Sequence, residues 1–245
     1  MRPFVCLLLA APLLALCAPN RPDSHRRDDK RCDDKHDDHD DHHRKPHHPS
    51  SCSQPTQTSS TPPTSTSCVP LTSPTKAYTV MASRPGSPID LLSIEAGGLG
   101  FHLGGGTGSY CPTSVGSSCP PGNQTVFQGS GISVMVPGGQ QQYFEPGGRA
   151  GYTQAHSLYM PTGSLPGGFS YYKCPNEQYG HITTTVFGAK GLMACPDSST
   201  GTQTYAVYAN IPNAVVPSGN VQDCLSFDGL TSDYNGPIPA AWQYV

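Results

Sequence analysis

Three groups of residues in this 245-residue chain have the types and spacing to do chemistry. The first is a run at residues 33–49, DDKHDDHDDHHRKPHHP. In it His36, His39, His42, His43, His47 and His48 alternate with Asp and a few basic residues, with no apolar side chain between. Neutral imidazoles and carboxylates are suitable ligands for Zn²⁺, Cu²⁺ or Ni²⁺. Gathering them from an unfolded segment costs ordering entropy, and no fixed geometry selects one metal. The expectation is a solvated polyampholyte arm and no cofactor, with weak, unselective Zn²⁺, Cu²⁺ or Ni²⁺ binding at these histidines as the alternative.

The second group is the cysteines. Apart from Cys6 and Cys17 there are eight: Cys32, Cys52, Cys68, Cys111, Cys119, Cys174, Cys195 and Cys224. An even number in an exported chain favours disulfides over reactive thiols, and no CxxC spacing suggests a zinc ribbon or a redox motif. Cys32 and Cys52 can pair with each other, and Cys111 and Cys119 can close a small loop. The connectivity of the last six is otherwise open, with fifteen arrangements allowed.

The third group is aromatic. Tyr143, Phe144, Tyr152, Tyr159, Tyr171 and Tyr172 crowd the middle of the chain. Aromatic faces beside Gln and Asn amides can stack on sugar rings, which makes Tyr143, Phe144, Tyr152 and Tyr171 candidate carbohydrate contacts. Consecutive residues of a strand point to opposite faces, so one of Tyr171 and Tyr172 is expected outside and about half of the group inside. Trp242 is expected to plug the core beneath the last segment.

Signatures of catalysis are missing. There is no GxSxG, HExxH, Walker loop or strand-to-helix GxGxxG. GGGTG at 104–108 lacks the following Lys-Ser/Thr and a helix start, so it reads as a loop. Asp90 and Glu95, five apart on an expected strand, face opposite ways and form no glycosidase pair by themselves. Glu145 stands alone, and His102, between Phe101 and Leu103, is expected on the solvated face. The chain is therefore expected not to be an enzyme.

The elements that must position these groups follow from three changes of composition. MRPFVCLLLAAPLLALC reads as a secretory signal peptide, residues 1–17: Arg2 is the positive end, and the apolar run is too short to span a bilayer. Residues 18–49 carry eight Lys/Arg, nine Asp and seven of the ten histidines. With almost nothing apolar, that segment is expected to be disordered. Residues 50–75 are Ser, Thr and Pro, the composition of an O-glycosylated stalk or spacer. Residues 76–245 carry short β-branched and aromatic runs broken by Gly, Pro, Asn and Asp about every 8–12 residues, and no helical period. One compact all-β domain is expected. Three strand–glycine turn–strand stretches, LLSIEAGGLGFHLGG, TVFQGSGISVMVPGG and TTVFGAKGLMACP, favour a β-trefoil-like barrel over a β-sandwich.

The net charge of −3 gives no case for nucleic acid. The tail PIPAAWQYV lacks the hydrophobic segment of a GPI signal, so no membrane anchor is expected. Asn123-Gln124-Thr125 is an N-glycosylation sequon in a turn.

Several stretches resemble the fungal phiA-type cell-wall proteins, whose members are often labelled IgE-binding. They are ASRPGSPI (82–89), CPPGNQTVF (119–127), VMVPGGQQQYFEPGGRAGYTQAHS (134–157), GLMACP (191–196), TYAVYAN (204–210), DCLSFDGL (223–230) and PAAWQY (239–244). The resemblance runs from Tyr78 to Val245 and does not extend to the histidine run or the stalk. It implies a secreted, wall-associated protein of a filamentous fungus, linked to development of phialides and conidia, with wall polysaccharides or glycoproteins as partners. It brings no catalytic residues, and IgE binding belongs to the host response.

Overall fold

The computed structural model describes residues 71–198 and 204–245, which belong to one compact unit. Cys32, Cys52 and Cys68, the histidine run, the leader and nearly all of the stalk lie outside the described residues.

The fold is all-β with little helix. Its strands are β1 (Tyr78–Ser83), β2 (Ile94–Gly97), β3 (Gly100–Leu103), β4 (Ser109–Tyr110), β5 (Phe127–Gln128), β6 (Gly131–Ile132), β7 (Gln142–Phe144) and β8 (Ala150–Tyr152). They continue as β9 (Leu165–Pro166), β10 (Ser170–Tyr172), β11 (Gly180–Thr183), β12 (Leu192–Asp197), β13 (Thr204–Ala209), β14 (Leu225–Asp233) and β15 (Gln243–Tyr244). The main sheet runs β6-β5-β1-β14-β12-β13-β3-β8-β7-β9, with β10 on β11, β11 on β14 and β2 on β3. β15 and β4 form a separate pair.

This sheet does not close through a continuous ladder. β6, at one end, meets the residue before β7, next to the other end, at an isolated bridge between Gly131 and Gln141. There the Ile132 N–H donates to the Gln140 carbonyl and the Gln142 N–H to that of Ser130, both at 3.3 Å. Two of the three repeat-like stretches are hairpins, β2–β3 and β5–β6. The third, around Gly191, is not. β11 and β12 do not pair with each other; they bond to successive parts of β14, Gly229–Thr231 and Leu225–Phe227. The chain between them makes a 3-10 turn at Val186–Gly188, and the Gly191 N–H donates to the Thr184 carbonyl at 3.1 Å. The threefold pattern read from the sequence thus breaks at its third member.

Strand alternation builds the core. On β1, Tyr78, Val80 and Ala82 are buried while their neighbours are partly exposed. On β13, Tyr205, Val207 and Ala209 join the main core, and Ala206 and Tyr208 pack into a second cluster with Met193, Cys195 and Val216. With both faces covered, all six residues of β13 are buried. The expected strand at 88–96 is a turn followed by β2; Asp90 accepts the Arg84 N–H at 2.8 Å in that turn.

The core plug beneath the last segment is Tyr244, two residues beyond the expected Trp242. Tyr244 is fully buried, and Trp242 only partly. The Tyr244 hydroxyl donates to the Gln124 carbonyl at 2.8 Å and accepts the Val126 N–H at 3.1 Å. The Gln140 side chain, itself buried, accepts the Tyr244 N–H at 2.8 Å and donates to its carbonyl at 3.0 Å. A hydroxyl satisfied on both sides makes Tyr an acceptable core residue here, whereas an indole N–H offers one donor and no acceptor.

Two disulfides join described residues, Cys111–Cys119 and Cys195–Cys224, and Cys174 is also disulfide-bonded. Among the described residues, no helix is long and apolar enough to cross a membrane.

Candidate functional site

The four aromatics expected to meet sugar divide sharply. Phe144 and Tyr152 have no accessible surface and Tyr143 is 6% exposed. Phe144 meets Phe169 edge-on at 4.9 Å between ring centres, and Tyr152 packs on Phe101 at 5.4 Å while its hydroxyl donates to the Val245 carbonyl at 3.2 Å. None of these three offers a ring face to a ligand, so the expected platform of 143, 144 and 152 is core. The reason lies in β7 and β8, buried along their whole length; where both faces of a strand are covered, alternation no longer marks an outer side.

Tyr171 is placed differently. It stands on β10, half-buried, between exposed Ser170 and Tyr172. Its ring lies 5.5 Å from that of Tyr78, which stacks on Phe127 at 5.6 Å, and Phe127 in turn is 5.4 Å from Phe101. Tyr171 is thus the outermost member of a chain of rings running into the core. Gly180 makes its position possible: a Cβ there would sit 2.9 Å from the Tyr171 hydroxyl and 2.6 Å from Thr231 Oγ1. Burial pushes the Tyr171 phenol above its ordinary range, and a hydrogen bond with the Thr231 side chain works against that rise. Burial also raises the Tyr78 phenol, so both hydroxyls are neutral at physiological pH.

Tyr78 and Tyr171 line a cleft of about 640 Å³ with Phe169, Gly168, Gln142 and Ser170. Among the described residues no charged side chain lines it. Gln142 is held in place: its Nε2 donates to the Gly131 carbonyl at 2.6 Å, and its backbone carbonyl accepts the Gly167 N–H at 2.7 Å. Gly168, at φ +96°, must be glycine, since a Cβ would lie 2.6 Å from a Phe144 ring atom. Aromatic edges, an anchored amide and hydroxyls without charge are suited to a neutral, hydroxyl-rich ligand. Sequence reasoning missed Tyr78, Phe169 and Gln142. Of these only Tyr78 carried a signal, as the first inward residue of a strongly alternating strand.

The other expected sites fall as follows. Asn123 is exposed, while Thr125 of its sequon is buried and its Oγ1 accepts the Ala96 N–H at 2.6 Å. Among the described residues no three His, Cys, Asp or Glu side chains gather to hold a metal. His36, His39, His42, His43, His47 and His48 lie outside the described residues. His102 is partly buried, and burial lowers its pKa below the ordinary imidazole value, against a hydrogen bond to Gly106 and the nearby charges of Glu95 and Asp197. Glu95 accepts hydrogen bonds from the Thr107 hydroxyl and from the Thr125 N–H.

Comparison with known proteins gives one coherent result. The family model described as PhiA-like secreted protein matches residues 78–245. A relative from Arthroderma benhamiae, named as an uncharacterized secreted protein, is 48% identical over 176 residues, covering 71% of this chain and 89% of the relative. No solved structure matches.

Proposed function

Since the chain belongs to the PhiA-like secreted protein family, we propose that it is a non-enzymatic structural protein of the fungal wall or extracellular matrix, retained there by contact with wall polysaccharide. The observation that carries this reading is the uncharged Tyr78–Tyr171 cleft, whose aromatic wall is the outer end of the packed core. Rings fixed by core packing lose little further entropy on binding, which favours a sugar surface over a flexible one. The carboxylates support the non-enzymatic part, because many are committed to structure. Asp90 and Glu95 hold backbone N–H groups, Glu177 accepts the Cys174 N–H, and Asp233 pairs with Lys76 at 3.5 Å.

In this reading the histidine run is an accessory arm, and the family resemblance adds a proposed role in conidium or phialide development. The test is a pull-down of the full chain on insoluble glucan, chitin and mannan, beside the Tyr171→Ala variant. Saturable retention on one polymer, weakened roughly tenfold or more by the substitution, is the expected result. Retention on none of them, with tagged protein wholly in the medium of living cells, would sink the proposal.

A further inference from the structure

A second cavity, built in the opposite manner, lies along the paired strands β3 and β13, with Arg149 before β8 and Asp197 of β12 at its margins. It encloses about 520 Å³ and is walled largely by glycine, including Gly97, Gly100 and Gly105. The missing side chains make room for two functional groups. A Cβ on Gly97 would lie 2.8 Å from His102 Cε1, and one on Gly100 would lie 2.8 Å from Arg149 Nη2. The imidazole and the guanidinium therefore rest directly on the glycine backbone. No hydrogen bond or ion pair engages the Arg149 guanidinium among the described residues.

Register fixes the polar groups in order along β13. Asp197 on β12 lies opposite Thr204, His102 on β3 lies opposite Ala206, and Arg149 bridges to Tyr208. Thr204 and Tyr208 are four residues apart, about 13 Å of strand. A cation thus stands at one end, a carboxylate and a threonine at the other, and a neutral imidazole between them.

A simple anion would meet Asp197, and a neutral sugar would leave the guanidinium without its counterpart. A sugar ring with a carboxylate at one end and neighbouring hydroxyls at the other suits both. We infer that this cavity binds a hexuronate residue, its carboxylate on Arg149 and its hydroxyls on His102, Asp197 and Thr204. Arginine's planar fork matches a carboxylate with two parallel hydrogen bonds, and an aspartate can accept from several hydroxyls at once. This site does not depend on the aromatic cleft. It would give the protein an acidic-glycan specificity that a neutral cleft lacks.

The test is calorimetric titration of the full chain with galacturonate, its α-1,4-linked trimer, the methyl ester of that trimer, and an uncharged glucan trimer. Saturable binding of the acid, lost by roughly tenfold or more on esterification and equally in Arg149→Gln, is the expected result. Arg149 is exposed, so that variant keeps the fold, and its thermal transition checks this. A trimer that binds more tightly than the monomer assigns the site to a polysaccharide, and equal affinity assigns it to a free sugar acid. Acid and ester bound alike, Arg149→Gln without effect, or no binding of galacturonate in either form would overturn the inference. If the glucan trimer still binds in that case, the aromatic cleft stands alone.

Discussion

The two cavities lie in one sheet system, yet they are made by opposite means. The Tyr78–Tyr171 cleft is shaped by large side chains that are half core and half surface, so its walls are as firm as the packing behind them. The glycine-walled cavity is shaped by absent side chains, and its polar groups rest on bare backbone. Beside it, the second cluster of Met193, Cys195, Ala206 and Tyr208 is small and is tied by the Cys195–Cys224 bridge. One side is held by aromatic packing, the other by a covalent staple. A cleft of the first kind cannot be altered without touching stability, whereas one of the second kind can be retuned at little cost to the fold.

The largest expected effect separates the two supports. Replacing Cys195 and Cys224 together by Ser opens a loop of 29 residues' separation and should cost about 3–4 kcal/mol, measured by denaturant unfolding. Hydrogen exchange should rise first in β12 and β13 and leave β10 and β1 protected. Uniform loosening of all four strands would dissolve the distinction.

Next comes Gly168→Ala, which forces a Cβ against the buried Phe144 at a left-handed backbone position. About 3 kcal/mol of stability should be lost, seen as a fall of roughly 10 °C in the melting temperature. The cavity-side counterpart, Gly97→Ala, meets only the movable edge of His102. It should cost under about 1 kcal/mol while displacing the imidazole. A reversed order of these two would contradict the picture of one firm and one tunable wall.

A smaller effect is expected from Tyr171→Phe. It removes the hydroxyl bonded to Thr231 and should cost about 1 kcal/mol, leaving polysaccharide retention largely intact because the ring remains. The smallest concerns His102. The unfolded chain takes up that proton near pH 6.5, and the folded chain takes it up only at lower pH because of burial. The unfolded state then binds more protons in that window, so stability rises with pH. The contribution is complete above about 6.5 and is lost as pH falls through the folded value. Proton NMR titration of the imidazole should show a midpoint below 6.5; a midpoint at or above it would contradict the burial argument.

Much of this was legible in the sequence where alternation was clean. β1, β3 and β13 were visible as strands because apolar and β-branched residues marked them, and adjacency announced that Tyr171 and Tyr172 would face opposite ways, without saying that Tyr172 would be the more exposed. β4, β8, β9 and β15 were not, since each is two or three residues long and exists only through its tertiary partner. The density of rings at 143–152 misled for a related reason: burial on both faces of β7 and β8 depends on what packs over them, which no local pattern contains. The glycine-walled cavity was out of reach for the same cause. GGGTG read correctly as a loop, but that Gly97 and Gly100 accommodate His102 and Arg149 follows only from the register.

One feature of the sheet bears on how the protein is made. β1 is bonded along its whole length to β14, with Tyr78 opposite Asp233 and Ser83 opposite Asp228. β11 and β12 also need β14 as a partner. During synthesis these three strands therefore emerge before the strand that organises them, and the main sheet cannot be completed until residue 233 is out. Such dominance by distant pairings makes folding slow. For an exported chain that delay is an advantage, because the polypeptide stays threadable until it has crossed, and its sheet and disulfides form together on the oxidising side.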